Sequence, residues 1–348
     1  TWSMIAHGAR GINYYHWYPM RWGFESTGYG MANLDGTPTH RAESAGAMAR
    51  VIDKYAGLFL DSQPLKAEVA ILYNILSQIM LLICFEKRTW LPTESLIGVY
   101  RTLLERNIPV DFIHLDEVTE GKLERYRLLF MPFSLMMPRA ACKKIAEFVE
   151  KGGTVVADAR CAWNEDTGWS AEEIPGFGLS KVFGCTEKWI RSCEKPEIRI
   201  TENDHATPLL SAGDKLTGAF YEEALNTLPN GKAIAEFSDG SPAIVVSRYG
   251  KGKAVYAGTC LGMAYEENHD INIGRLLKGF VEWTGISSPI EVSDVPEDQP
   301  IEARLLEGNG FHVLFGFNHS ERAATPRFRM KLLKNNYMAY DIVGEKEI

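Results

Sequence analysis

The chain of 348 residues has no apolar run of the ~18 residues that a membrane-spanning helix needs. The nearest approach, ILSQIMLLICF from Ile75 to Phe85, is too short and carries Ser77 and Gln78. A basic cluster is also missing: 37 Lys and Arg stand against 45 Asp and Glu, for a net charge of −8. That balance argues against nucleic acid as a partner, because phosphate binding needs a concentrated positive face. The six cysteines, at 84, 142, 161, 185, 193 and 260, form no CxxC pair. A disulfide framework and a structural zinc site are therefore not expected, whereas buried reduced thiols in a cytoplasmic protein are. No metal site and no cofactor are expected. GKGK (Gly250–Lys253) lacks the spacing of a phosphate loop and reads as a hairpin turn between two strands. There is no initiator methionine and no leader pattern. The opening TWSMIAHGARG reads as a helix already running, so a fragment, or a chain whose beginning was removed, is expected.

What remains is the composition of a globular protein, 45% hydrophobic and 24% charged, long enough for two or three domains. Residues 1–8 read as a helix end closed by the turn at Gly8–Gly11, and INYYHWY (Ile12–Tyr18) as an aromatic strand. A loop rich in Gly, Trp and Tyr follows, with the carboxylate Glu25 in it. RAESAGAMARVIDKYAGLFL then places Ala45, Met48, Ala49, Ile52, Tyr55, Ala56 and Phe59 on one helical face. This is the rhythm of a βα unit, whose functional loop leaves the carboxyl end of the strand.

After a linker at Asp61–Lys66 the pattern changes. AEVAILY, VDFIHL, YRLLFMPF and TVVADA read as strands. They alternate with helices over Thr93–Asn107, with Thr93 as cap, and Pro138–Gly153. Such alternation implies a parallel sheet covered on both faces. From about 160 to 215 the pattern weakens. It returns as strands KAIAEF, PAIVVSRYG and GKAVYAGT and a closing helix, INIGRLLKGFVEWTG. From about 288 onward IEARLLEG, FHVLFGFNH and RFRMKLL alternate like a small antiparallel β domain.

Three stretches together resemble glycoside hydrolase family 42, the bacterial β-galactosidases. IAHGARGINYYHWY, GFES and DGTPTHRAESAGAM look like that family's last barrel βα unit. AEVAILY, YRTLLERNIPVDFIH, YRLLFMPFSLMM, AEFVEKGGTVVADAR and SPAIVVSRYGKGKAVYAGT are similar to its middle domain, and IEARLLEGNGFHVLFGFNHS to its C-terminal β domain. The resemblance implies an α/β fold: a flavodoxin- or glutamine-amidotransferase-like parallel-sheet domain at 63–287, preceded by the end of a TIM barrel at 1–62 and followed by a small antiparallel β-sandwich at 288–348. It implies a homotrimer, a β-galactoside or related sugar as partner, and neither nucleic acid nor membrane.

The resemblance also makes the loop one wall of a sugar pocket. Trp17 matches a strand-end Trp, Glu25 a carboxylate that bonds the innermost galactose, and Trp22 is counted with them as substrate-binding. The sequence departs from the family at Tyr18, where Arg is usual, and at Gly28, where His is frequent. Read without the family, Trp17, Trp22 and Tyr29 serve equally as core or interface aromatics, and Glu25 as a solvated loop carboxylate. A retaining glycosidase needs two carboxylates ~5–5.5 Å apart. The family draws both from earlier barrel strands, so no catalytic residue is expected here. The resemblance thus implies the C-terminal portion of a hydrolase; the alternative is a non-catalytic assembly or carbohydrate-binding module.

Three further readings are structural. His7 and His16 are expected as satisfied histidines, and Asp158 as a capping residue. The middle domain is not expected to be an amidotransferase, because Ser134–Met137 after LLFMPF offers no Cys, and Cys142 lies inside the next helix.

Overall fold

The computed structural model describes residues 1–24, 26, 29–84, 90–331 and 338–347. The chain divides into two compact units, Lys66–Ser288 and a second made of Thr1–Leu65 with Pro289–Ile348. This second unit joins two segments that read as separate domains in the sequence.

The Lys66–Ser288 unit is built on a nine-stranded sheet. Its strand order is Val110–His114, Val69–Tyr73, Leu128–Met131, Thr154–Ala157, Gly252–Ala257, Pro242–Tyr249, Gly231–Phe237, Glu197–Ile200 and Lys215–Thr217. The first five strands are parallel, with Val69 opposite both Val110 and Leu128, and Thr154 opposite Lys253. From Gly252–Ala257 onward every pairing is antiparallel. Alternation then separates two cores. Ile71, Phe130, Val156 and Val255 face one side, under the helices Leu91–Glu105, Leu261–Asn268 and Ile271–Trp283. Ala70, Leu129, Val155 and Ala254 face the other, under Arg139–Glu150 and Leu179–Phe183. Burial on both faces explains why these strands read as continuous apolar runs.

Three helix signals act locally. Asp270 accepts from Asn272 N–H at 2.8 Å and caps Ile271–Trp283. His114 and Glu117 form a reciprocal capping box on Leu115–Thr119. The third differs from expectation. The helix expected to start at Thr93 starts at Leu91, with Trp90 as its N-cap. Pro92 suits a first turn, where its missing N–H costs nothing, so Thr93 is carried inside the helix.

Ile12–Tyr18, expected as a strand, forms no ladder among the described residues. Its backbone bonds singly: Met31 N–H donates to His16 O at 2.9 Å and Ala32 N–H to Trp17 O at 2.8 Å. Aromatic content suits a pleated surface, but only a neighbouring strand turns it into a sheet. Further along, the helices Trp2–Ala6, His40–Lys54 and Ala56–Leu60 lie on a three-stranded sheet of Ser62–Pro64, Ile301–Gly308 and His312–Asn318. Ile5, Phe59, Leu306, Val313 and Phe315 make the core between them. The opposite face of that sheet packs Ala303, Leu305 and Leu314 against Ile290, Val292 and Phe328 of an antiparallel strand pair.

The tightest contact in the Lys66–Ser288 unit is between helices Leu91–Glu105 and Leu261–Asn268. A Cβ on Gly98 would fall 1.8 Å from Gly262 O, and one on Gly262 1.9 Å from Ser95 O. Backbone meets backbone here, and no rotamer relieves the overlap. Gly98→Ala and Gly262→Ala are each expected to lower unfolding free energy by about 1–3 kcal/mol, as overpacking does. Urea denaturation checks this; an unchanged midpoint for either variant would show that the two helices have room to separate.

Candidate functional site

The aromatic loop after Ile12 is held at its base rather than by a core. Besides the two bonds from His16 and Trp17, Thr39 Oγ1 donates to Met31 O at 2.7 Å and Arg41 Nη2 to Gly30 O at 2.7 Å. Asp35 accepts from Thr37 Oγ1 at 2.6 Å and Thr37 N–H at 2.9 Å, and both bonds hold its carboxyl below the usual range. Tyr18 donates to Leu34 O and accepts from Arg21 Nη2. Where Arg is usual in the resembling sequences, Tyr18 thus spends its hydroxyl inside the loop.

Above this base the rings face solvent. Trp17 is 67% exposed and Trp22 81%, and Phe24 and Tyr29 are also exposed. The structure does not stack Trp17 on Trp22 among the described residues. Glu25, the third candidate from the sequence, lies outside the described residues, as does Gly28. Water-exposed aromatic faces on a tied-down loop can stack on the CH-rich face of a sugar. His7 is satisfied, its Nδ1–H donating to Ser3 O at 2.7 Å and its Nε2 accepting from Arg304 Nε at 3.2 Å. His16 is not: its Nε2 is buried without a hydrogen-bond partner among the described residues.

A second set of chemistry-bearing residues sits in the Lys66–Ser288 unit, past the carboxyl end of Thr154–Ala157. Asp158 is buried, accepting from Ser95 Oγ at 2.9 Å and from Leu261 N–H at 3.2 Å. Glu223 is fully buried, accepting from Arg160 N–H at 2.8 Å and from the Tyr256 hydroxyl at 3.0 Å. Arg160 reaches that place through a left-handed φ of 57°. Its guanidinium pairs with Glu187 at 3.1 Å and lies 4.0 Å above the Trp163 ring. Burial pushes Asp158 up to about 7 and Glu223 up to about 8, the nearby Glu187 charge adding to the second shift. Sequence periodicity finds Asp158 at a strand end but not Glu223, whose strand Tyr221–Thr227 pairs with Cys185–Ser192 across a long gap.

This set does not make an amidotransferase-type nucleophile. After Leu128–Met131 the chain does turn sharply, with Phe133 at φ 44° although no glycine stands there. The buried Phe133 ring lies parallel to Tyr221, 6.4 Å away, and packing holds the left-handed backbone. Ser134 is buried, and burial pushes the Cys142 thiol up to about 12, far from a thiolate. Asp158 and Glu223 instead tie a strand end to two helices and a second sheet.

The Lys66–Ser288 unit is thus an α/β domain whose parallel sheet is extended by an antiparallel half, and the other unit carries helices, exposed aromatics and small antiparallel sheets. Residues 67–287 match the family model described as the β-galactosidase trimerisation domain, and the chain belongs to glycoside hydrolase family 42. It is 26% identical over 339 residues to β-galactosidase LacZ of Heyndrickxia coagulans, covering 92% of this chain and 45% of that protein. It is 30% identical over 245 residues to β-galactosidase LacA of Lactobacillus acidophilus, covering 68% and 32%. The fold resembles a β-galactosidase from Bacillus circulans sp. alkalophilus with a TM-score of 0.81 at 18% identity, over 100% of this chain and 48% of that one. The chain therefore spans less than half the length of each. No helix among the described residues is long and apolar enough to cross a membrane.

The two buried carboxyls give a pH dependence with a definite sign. An acid whose pKa rises on folding keeps its proton in the native state after the unfolded chain has released it. Its contribution is full below the unfolded pKa of about 4 and is lost as pH rises toward 7 for Asp158 and 8 for Glu223. The urea midpoint is expected to fall between about pH 5 and about pH 8, and Glu223→Gln to flatten the upper part of that fall. Glu223→Leu strands Arg160 N–H and the Tyr256 hydroxyl and should cost roughly 1–3 kcal/mol at any pH. A Gln variant with the parental pH profile would remove Glu223 from this account.

Proposed function

We propose that this chain is the C-terminal portion of a β-galactosidase-like glycoside hydrolase. In this reading it supplies a pocket wall and an oligomerisation domain to a retaining hydrolysis of β-galactosides. The single observation that carries the reading is the match of 67–287 to the trimerisation domain within a likeness that runs over nearly the whole chain. Residues 1–62 are the last βα unit of a (β/α)8 barrel, 63–287 the oligomerisation domain and 288–348 the C-terminal β-sandwich.

Trp17 and Trp22 offer their rings to the sugar, and Glu25 accepts from its hydroxyls. The exposure of both indoles on a loop pinned at its base supports this role. The acid/base and the nucleophile belong to barrel strands that precede the residues matched here. Two carboxyls ~5–5.5 Å apart would protonate the leaving oxygen and attack the anomeric carbon, forming and then releasing a glycosyl-enzyme. The assembly is a trimer, and the buried thiols suit a reducing cytoplasm.

The test pairs intact mass with hydrolysis of a chromogenic β-galactoside. The 39.0 kDa chain alone is expected to show no turnover, and a longer protein carrying an upstream barrel to hydrolyse the substrate. In the longer protein Trp17→Ala should raise KM about two- to ten-fold, the worth of one stacking contact, with kcat little changed. Turnover by the 39.0 kDa chain would overturn the placement of the catalytic pair. Sugar binding without turnover in the longer protein would favour a carbohydrate-binding module.

A further inference from the structure

The aromatic loop spends most of its polar side chains on itself. Asp35 and Thr37 close a turn, Asn33 Nδ2 donates to Thr37 Oγ1 at 3.0 Å, and Ser26 Oγ donates to Gly23 O at 2.7 Å. Thr39 and Arg41 hold the base through Met31 O and Gly30 O. Arg21 differs. It is the only Lys, Arg or His between Trp17 and Thr39, and it is exposed. Its Nη2 donates to the Tyr18 hydroxyl at 3.0 Å, and its guanidinium lies 5.8 Å from the centre of the Tyr18 ring. Tyr18 is fixed in turn, because its hydroxyl donates to Leu34 O. A guanidinium carries five N–H donors in a planar fork. Among the described residues no carboxylate pairs with this one, and its remaining donors find no protein acceptor. Asp35, an acid of the same loop, is committed to Thr37.

We propose that Arg21 is a substrate-binding residue that selects β-galactosides carrying an anionic group, a carboxylate or a sulfate, and that Tyr18 is its positioning residue. The inference rests on the reading of this loop as a sugar-pocket wall. A neutral hydroxyl gains little from a full charge that water already solvates. A carboxylate or a sulfate presents paired oxygens that match the guanidinium fork, and charge-assisted bonds are about twice as strong as neutral ones. Holding the guanidinium at Tyr18 reduces the rotamer freedom lost on binding. The placement also answers the charge of the chain. A net charge of −8 repels an anion at a distance, and a positive group at the wall offsets that locally. The exposed indoles of Trp17 and Trp22 adjoin Tyr18 and Arg21 in the chain. One short stretch therefore offers both apolar faces and a cation, which suits a sugar with a CH-rich side and an acidic substituent.

The test is steady-state kinetics of the longer protein that carries the upstream barrel. Its substrates are a chromogenic β-galactoside, a sulfated β-galactoside and the corresponding β-galacturonide. The unaltered protein is expected to show a kcat/KM about 10-fold or more higher on one of the anionic substrates than on the uncharged one, and the preferred one tells sulfate from carboxylate. Arg21→Ala should reduce that ratio about 10-fold, through KM, as loss of one charge-assisted contact does. Arg21→Lys keeps the charge without the fork and should reduce it less. Tyr18→Phe should raise KM for the anionic substrate about three-fold with kcat little changed, a split that a general loss of structure would not give. In the unaltered protein about 0.5 M NaCl should shrink the preference, because exposed charges are screened. Turnover without preference for either anionic substrate overturns the assignment and leaves the hydrolase reading standing, as does a preference that Arg21→Ala leaves intact. If the variants fail to fold, a preference that salt does not move overturns it. Turnover of none of the three substrates overturns the hydrolase reading, and this inference with it.

Discussion

The α/β domain depends on one buried carboxyl. Asp158 ends the strand Thr154–Ala157, at the middle of the sheet. From there it accepts from Ser95 on one helix and from the first N–H of another at Leu261. Those two helices are the pair that meet backbone to backbone at Gly98 and Gly262. A carboxyl this deeply buried is stable only when its partners are in place and, near neutral pH, partly when it keeps its proton. Position, packing and protonation are therefore set together. The strand end cannot shift without uncovering an unpaired acid, and the helices cannot shift without losing the close approach that glycine permits.

Glu223 does the same for the junction between the parallel and antiparallel halves. Its strand is hydrogen-bonded to the chain just after Gly252–Ala257, through Glu223 N–H to Gly258 O at 2.8 Å. Its side chain reaches Arg160 on the other half and Tyr256 on the strand where the sheet changes direction. Two acids with raised pKa values beside a sheet switch point resemble an active site in electrostatics. Their burial, and the use of their acceptors on main-chain N–H groups and core hydroxyls, make them joints. Perturbed titration here follows from burial.

The exposed aromatics divide by the same reasoning. Trp17 and Trp22 stand on a loop tied at its base by His16, Trp17, Thr39 and Arg41, and their rings are exposed. Ile79, Leu82 and Ile83 belong to a regular helix whose other face packs on the core, and Trp90 caps the next helix. A rigid apolar face suits a protein surface, and separate rings on a loop suit a small polar molecule with an apolar side.

Much was legible from the sequence alone, because local signals and burial agreed. The strands Val69–Tyr73, Leu128–Met131 and Thr154–Ala157 show as apolar runs since both faces are covered, and the edge strand Val110–His114 shows by its β-branched and aromatic residues. The Arg139–Glu150 helix shows as a stripe with Pro138 before it and Gly152 after. Asp158 stands at a strand end, and the order of three segments carries the family. Tertiary structure decided the rest, wherever a residue's state depends on a distant partner. Ile12–Tyr18 has the composition of a strand but pairs with none among the described residues. Tyr221–Thr227 has little periodicity but finds Cys185–Ser192. Phe133 takes a glycine-like backbone because a core holds its ring. Ile75–Cys84 is uncharged and largely apolar, and only the packed domain distinguishes the face that it buries from the face that it exposes.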